Sequence, residues 1–412
     1  MSVKRILTIT LFLISCVSYC QMYNNAAMTV TSGAAVTVSA GTLRNDVTGD
    51  IDNNGNIYVD IDIDNGGTIQ GRSLASSQFN LGQDWVNDGT FIADSSTVTF
   101  FGNDQFITGS SVTRFYNVVF DGNGVKAQTI DAETYFMDLT SNELATNDYV
   151  MTVLSPDVNA ISRTNGFVSS LNDGHLERMT NSTDSYLFPT GSSVQTLGFY
   201  RPIVMTPNTS ALGSYGVRLA HTDATFEGYD RSIKADNVKS TNPYFYHHLY
   251  RFAGAPPTDI TFQYLPVDGT FENAAQWWYT GQWESNFLEN TSASGAFSEV
   301  SLYEVSNFNT RAFILANRIE PIFIQNAFSP NGDVVNDVFE LQLSYEDFTE
   351  FEFVIFNRWG EVIFETNQPD FSWDGSYKGK DCPIGVYPYR MTYRYENQAA
   401  VQEEAGHINL IR

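Results

Sequence analysis

From Ala26 to Asp138 the chain is written in short apolar runs of period two, separated by Gly, Asn and Asp. Met28-Thr-Val-Thr31, Ile57-Tyr-Val-Asp-Ile-Asp-Ile63, Thr97-Val-Thr-Phe-Phe101 and Phe115-Tyr-Asn-Val-Val-Phe120 are examples. Period two sends successive side chains to opposite faces, so each run reads as a strand with one buried face. The runs return about every 8–12 residues, and no helical pattern intervenes to cover a parallel sheet. Two architectures satisfy that constraint: a β-sandwich, or a parallel β-solenoid whose coils cover one another.

The stretch Asp84-Trp-Val-Asn-Asp-Gly-Thr-Phe91, with Thr97-Val-Thr-Phe100, Gly102, Gln105-Phe-Ile-Thr-Gly109 and Phe115-Tyr-Asn-Val118, resembles the coils of bacterial surface β-helical proteins. The resemblance implies a parallel β-solenoid-like section over residues 21–145. Trp85, Phe91, Phe100 and Phe115 are then packing groups of an internal stack, the usual use of large aromatics.

Between residues 146 and 318 the aromatic content rises and the strands lengthen, as in Tyr244-Phe-Tyr-His-His-Leu-Tyr-Arg-Phe252 and Arg311-Ala-Phe-Ile-Leu-Ala316. Pro256-Pro257, Gly281 and Thr291-Ser-Ala-Ser-Gly295 punctuate them. This section reads as an antiparallel β-sandwich. Phe188-Pro-Thr-Gly191 with Tyr200-Arg-Pro202 is similar to a segment of Bacteroidetes surface proteins of unassigned activity. A linker, Arg318-Ile-Glu-Pro321, leads into a last domain, so the division is 1–20, 21–145, 146–318 and 319–412. The whole chain is expected to be all-β. Its 412 residues exceed one ordinary core, and charged residues are only 17%, a mix that suits strands and turns better than helical surfaces.

The N-terminus reads as a secretory signal. Lys4 and Arg5 start it, Ile6 to Val17 is apolar but too short for a comfortable membrane span, and Ser18 and Cys20 are small residues before a cut at Gln21. Lipidation of Cys20 is the alternative, disfavoured by the bulky Tyr19 before it. No later stretch is long and apolar enough to span a membrane. Removal of the signal takes Cys16 and Cys20 and leaves Cys382, which excludes an internal disulfide and a thiolate metal cluster. The 47 Asp and Glu against 22 Lys and Arg give a net charge of −25, which would repel nucleic acid and favours solubility.

The last section is the richest in motifs: Asn326-Ala-Phe-Ser-Pro-Asn-Gly-Asp333, Phe351-Glu-Phe-Val-Ile-Phe-Asn-Arg-Trp-Gly-Glu361, Trp373-Asp-Gly375, Gly385-Val-Tyr387 and Gly406-His-Ile-Asn-Leu-Ile-Arg412. Phe351, Phe353 and Ile355 on one parity and Glu352, Val354 and Phe356 on the other describe a strand with two largely buried faces. Trp359-Gly360-Glu361 is a hairpin turn, from which Val362 to Glu365 returns. About ninety residues in about seven short strands fit an immunoglobulin-like sandwich. The pattern from Ile322 to Arg412 resembles the gliding-motility-associated C-terminal domain, the type B sorting domain of the type IX secretion system of Bacteroidetes. Asn357, Arg358, Trp359, Gly360, Trp373, Asp374, Gly375, Gly385, Tyr387, Leu410, Ile411 and Arg412 carry the resemblance. It implies export with signal removal, recognition by the outer-membrane translocon and its accessory proteins, and delivery to the cell surface or medium. The chain departs from the family at Val334, where glycine is usual, and at Cys382.

Two Asp/Asn clusters are candidates for Ca²⁺, which takes six to eight oxygen ligands. Asp50, Asp52 and Asn54 match the first half of an EF-hand loop, but Ile61 stands where the bidentate Glu belongs, leaving Asp60, Asp62 or Asp64 as substitutes. Asn331, Asp333, Asn336 and Asp337 resemble calcium-stabilised turns of extracellular repeats. Turn residues, a turn between solenoid strands at the first cluster and a hydrogen-bonded turn at the second, are the default reading of both. His247 and His248 are adjacent on a strand, point to opposite faces and do not jointly chelate. The sequence holds no G-x-S-x-G, H-E-x-x-H or Walker motif, so a catalytic function is not expected. Trp277, Trp278 and Trp283 would stack on sugar rings if exposed on one flat face, and are core if buried. The expected function is a non-catalytic surface protein, structural or adhesive, with a link to gliding. A carbohydrate-binding protein whose partner is surface polysaccharide is the first alternative, and a secreted hydrolase with an unrecognised carboxylate pair is the second.

Overall fold

A computed structural model describes residues 20–72, 77–195, 198–254, 257–319, 322–333, 335–342, 348–395 and 401–412. The signal segment up to Tyr19, residues 320–321 of the linker, Pro256 and Val334 lie outside the described residues. The described chain is all-β, with two single-turn 3₁₀ helices at Ala224–Glu227 and Pro266–Asp268. It divides into two compact units.

The first unit comprises residues up to Ala224, Tyr244–Thr270 and Phe287–Phe313. It begins as the expected parallel solenoid, with three faces. One sheet runs from Cys20–Asn24 to Phe167–Ser169, a second from Ala27–Val30 to Thr90–Ile92, and a third from Ala35–Val38 to His175–Thr180. Every pairing between successive coils is parallel. Coil length varies: Asp50 pairs with Thr68, Leu43 with Ile63 and Val150 with His175.

The alternation seen in the sequence is the cause of this packing. Inward positions stack in register as columns, such as Val38, Val59, Leu81, Phe100 and Phe120 on one face and Leu43, Ile63, Trp85 and Ile107 on another. All of these are buried. Each such side chain contributes about 1.5–3 kcal/mol of hydrophobic stabilisation. Trp85, Phe91 and Phe115 meet at 4.8–6.0 Å between ring centroids, and Phe100 joins Phe115 at 6.3 Å.

The parallel pairing does not stop at residue 145. Val150–Val153 still pairs in parallel with Ala132–Asp138 and with His175–Thr180. Met151, Val153 and Leu176 fill inward positions of the same stack and are buried. The antiparallel section starts only after Thr180. There His175–Thr180 pairs with Gly213–Ala220, which pairs with Tyr246–Ala253, all antiparallel. A second antiparallel sheet runs Tyr186–Phe188, Ile203–Pro207, Thr258–Tyr264, Phe297–Val305 and Leu288–Ser294. Tyr215 and Thr258 share a hydrogen bond of 2.7 Å between the sheets, and Phe262 and Phe313 pack at 6.4 Å.

The second unit comprises Thr225–Pro243, Phe271–Asn286 and Ile314–Arg412. Its larger part is a sandwich beginning at Ile322. One sheet has the order Ala327–Phe328, Gln402–Leu410, Gly385–Tyr395, Phe348–Phe356 and Val362–Thr366, with the first pair parallel and the others antiparallel. Phe339–Gln342 faces it, flanked by Phe323–Ile324 and Ser372–Trp373. The two layers meet in an aromatic core: Phe339 packs on Phe353 at 5.7 Å and Phe328 on Trp373 at 5.3 Å, with Ile355, Met391, Ile408 and Leu410 filling between.

Candidate functional site

The motif residues of the C-terminal sandwich fall into two sets. Trp373, Gly375, Tyr387 and Leu410 build the core. Trp373 is buried, and its indole N–H donates to the Ser376 carbonyl at 3.0 Å. Asp374 accepts from the Ser376 amide at 2.9 Å, and the Ser376 hydroxyl beside it holds its carboxyl below the usual range. Gly375 has φ of +75°, and a Cβ there would meet Leu410 Cδ1 at 2.5 Å, so only glycine fits. Leu410 is buried opposite Gly385 in the strand ladder.

Arg358 and Trp359 form the other set, at the surface. Their hairpin turn is fastened by one side chain. Asn357 Oδ1 accepts from the Trp359 and Glu361 amides at 2.9 and 3.0 Å, and its amide nitrogen donates to Glu361 Oε2 at 3.0 Å. Gly360, with φ of +77°, lets the chain turn back into Val362–Thr366. The turn holds the Trp359 ring 82% exposed. The Arg358 guanidinium stands 5.5 Å from that ring's centroid. Across from it lie Ile384, 64% exposed, and Val386, 54% exposed, above a Tyr387 hydroxyl that donates to the Pro383 carbonyl. Between the turn and Pro383–Tyr387 lies a cleft of about 420 Å³. Ile411 is half exposed, and Arg412 donates to the Cys382 carbonyl at 2.9 Å and pairs with Asp381 at 3.4 Å. Cys382 is buried, which raises its thiol pKa.

The two acidic clusters are occupied by the protein itself. Asp337 Oδ1 accepts from the amides of Asn331 and Gly332 at 2.9 and 2.7 Å. Asn331 and Asp333 bond each other, Asp333 also accepts from the Val335 amide, and Asn336 sits at φ of +53° with its carbonyl bonded by Ser329. These are the bonds of an Asx-type turn. Asp50 and Asp52 lie on the strand Asp50–Asn53 rather than in a loop, and Asp52 is gripped by Arg72 at 2.6 Å. Asp60 accepts from the Ala40 amide, Asp62 from the Asp84 amide, and Asp64 lies 3.6 Å from Arg44. Asp52, Asp60, Asp62 and Asp64 therefore each tie one coil to another. Among the described residues no group of three His, Cys, Asp or Glu side chains is placed to hold a metal ion.

Trp277, Trp278 and Trp283 do not form a flat face. Trp283 is fully buried, Trp277 and Trp278 are half-buried, and Trp277 meets Trp283 edge-on at 5.3 Å, with Tyr229 packed against both. The sugar-stacking reading of the three together is corrected by this burial. His247 and His248 do point apart: one ring nitrogen bonds the Arg201 carbonyl at 3.0 Å, the other the Tyr246 hydroxyl at 3.1 Å.

Three polar devices of the first unit went unread in the sequence. Asn24, Asn45, Asn65 and Asn87 form a buried ladder in which each amide donates to the next coil's Asn Oδ1 at 2.8–2.9 Å. Their spacing by about one coil, in a chain otherwise rich in Asn, is the only sequence signal. Lys126 is buried, with four oxygens, those of Gly102, Asn103, Gln105 and Asn123, 2.6–2.9 Å from its ammonium, which shares its three N–H donors among them. Arg201 and Asp268 form a buried bidentate pair at 2.5 and 2.6 Å.

Among the described residues no helix is long and apolar enough to cross a membrane. No curated protein and no solved structure matches the chain. The family model of the CHU_C type IX secretion signal domain matches residues 322–410, the span of the sandwich that carries the Trp359 turn. The chain therefore carries a type IX secretion signal domain, the module that implies export across the outer membrane.

Proposed function

We propose that this is a non-catalytic secreted protein of the cell surface. Its signal domain delivers the solenoid and the antiparallel section to the outside, where they act as structural or adhesive cargo. The observation that carries the reading is the match of residues 322–410 to the secretion signal family. The organisation of the cargo supports a structural role. Its buried charged groups are used for packing and ladder contacts: Lys126 caps carbonyls, Arg201 clamps Asp268, and Arg178 donates to the carbonyls of Asp157, Val158 and Leu187. A solenoid of this kind presents long outward faces of Thr, Asn, Asp and Tyr, suited to contact with an extended partner such as surface polysaccharide. The test of the signal is sufficiency. Residues 319–412 fused behind an exported reporter should bring it to the surface or medium of a host with type IX secretion and leave it in the periplasm of a host lacking that system. Equal release from both hosts would refute the reading. Loss of spreading or surface adhesion on deletion of the cargo, with secretion intact, would establish the cargo role. Unchanged spreading and adhesion would reject it.

A further inference from the structure

The cleft between the Asn357 turn and Pro383–Tyr387 has the properties of a docking site rather than of ordinary surface. Three large apolar side chains, Trp359, Ile384 and Val386, stand more than half exposed around it. Exposed apolar groups gathered in one place mark interaction sites, and Trp is the residue most enriched among binding hot spots. The cost of ordering has been met beforehand. Asn357 fixes the turn by three hydrogen bonds, and the Tyr387 hydroxyl fixes the opposite wall at Pro383. A wall that does not have to be ordered on binding gives affinity through preorganisation.

The charge around the cleft identifies its partner's chemistry. Residues 322–412 contain six Lys and Arg: Arg358, Lys378, Lys380, Arg390, Arg394 and Arg412. Arg390 and Arg394 are spent on Glu352 and Glu350 along the sheet. The other four lie at the cleft's end of the sandwich. Arg358 covers Trp359, and Arg412 reaches Cys382 beside Pro383. Lys378 and Lys380 sit on the small hairpin whose Tyr377 hydroxyl donates to Glu361 of the same turn. Lys378 lies 3.8 Å from Glu361 and Arg412 3.4 Å from Asp381, which leaves Arg358, over the Trp359 ring, as the cation that lines the cleft with no ion-pair partner among the described residues. Charge complementarity of this kind steers encounter and selects partners.

We propose that this cleft is the surface by which the type IX secretion apparatus recognises the module, its occupant being a segment of the apparatus that presents an apolar side chain next to a carboxylate. The apolar side chain enters between Trp359 and Ile384, and the carboxylate meets Arg358. This rests on the secretion reading above, and the experiment separates the two. In the full chain in its own cells, Trp359→Ala, Arg358→Glu and Arg358→Lys are compared with deletion of residues 322–412. The fraction accessible to protease on intact cells is measured. Trp359→Ala and Arg358→Glu should each lower that fraction tenfold or more, with Arg358→Lys close to the parent. Both positions project into solvent, so thermal melts of the purified variants should match the parent. If one fails to fold, Val386→Asp on the opposite wall carries the same test. A photocrosslinker at Ile384 should yield an adduct with an outer-membrane secretion subunit and none when placed at Arg394. Normal export of the point variants with blocked export of the deletion overturns the cleft and leaves the secretion reading standing. Normal export of the deletion overturns both. An adduct only with lipid or with a second copy of the chain also overturns the proposal.

Discussion

Replacing Asn65 by alanine removes the middle of the asparagine ladder, and its consequence can be worked out bond by bond. Asn65 Oδ1 accepts from Asn45 at 2.8 Å, and Asn65 Nδ2 donates to Asn87 Oδ1 at 2.9 Å and to the Thr90 carbonyl at 3.1 Å. The side chain is fully buried, so water does not take its place. Asn45 retains the Thr68 carbonyl at 3.0 Å as an acceptor and is only partly orphaned. Asn87 Oδ1 and the Thr90 carbonyl each lose a donor. At about 1–2 kcal/mol for each of these two buried groups left unmet, the expected loss is roughly 2–4 kcal/mol. Hydrogen-exchange mass spectrometry on the intact protein reads this locally. Amides in the coils from Gly41 to Gly109 should lose protection by roughly 30- to 700-fold, on the scale of tenfold per 1.4 kcal/mol. Asn24→Ala, at the end of the ladder, should have a smaller effect, because it gives up only its bonds to Asn45 and Ala26. Protection within threefold of the parent in Asn65→Ala would refute the view that the ladder holds the coils together.

Other expectations are more compact. Burial lowers the His247 pKa to about 4, whereas the unfolded side chain titrates near 6.5. Between those values the unfolded chain holds more protons, so the stability that His247 contributes is complete above pH 6.5 and is lost as pH falls toward 4, by about 3 kcal/mol at full extent. His247→Gln should flatten that part of the acid limb in denaturant melts, and an unchanged pH difference between the two proteins would contradict it. Gly375→Ala should destabilise the C-terminal sandwich by roughly 2–4 kcal/mol, from the left-handed backbone and the clash with Leu410 together, seen as faster proteolysis of that module. Trp283→Ala should cost about 3–5 kcal/mol in thermal or denaturant unfolding, as deletion of a buried indole does. A neutral effect there would contradict its place in the core.

The strands and the solenoid were legible because they depend on neighbours two residues apart, and the alternation at Leu43-Arg-Asn45 or Thr97-Val-Thr-Phe100 is local. The ladder of Asn24, Asn45, Asn65 and Asn87 was not, because its period is the coil, and the coil length changes between Asp50–Thr68 and Val150–His175. Lys126 reads as a surface charge in sequence. Only its position in an inward column, between Gln105 and Leu144, makes it a buried cap. The solenoid was expected to end near residue 145 because aromatic residues become frequent there, yet Met151, Val153 and Leu176 continue its stack. In the C-terminal module the motif was legible as a unit. Its separation into core groups such as Trp373 and Leu410 and exposed groups such as Trp359 required burial. The sequence pattern treats all tryptophans alike.

The most direct measurement is the location of the cargo when residues 322–412 are deleted from the chain in its own cells. Fractionation and protease shaving of intact cells should find the remaining chain, residues 21–321, held in the periplasm, while the full chain is at the surface or in the medium. Surface display of the truncated chain at the level of the full one would contradict the assignment of the module as its export signal.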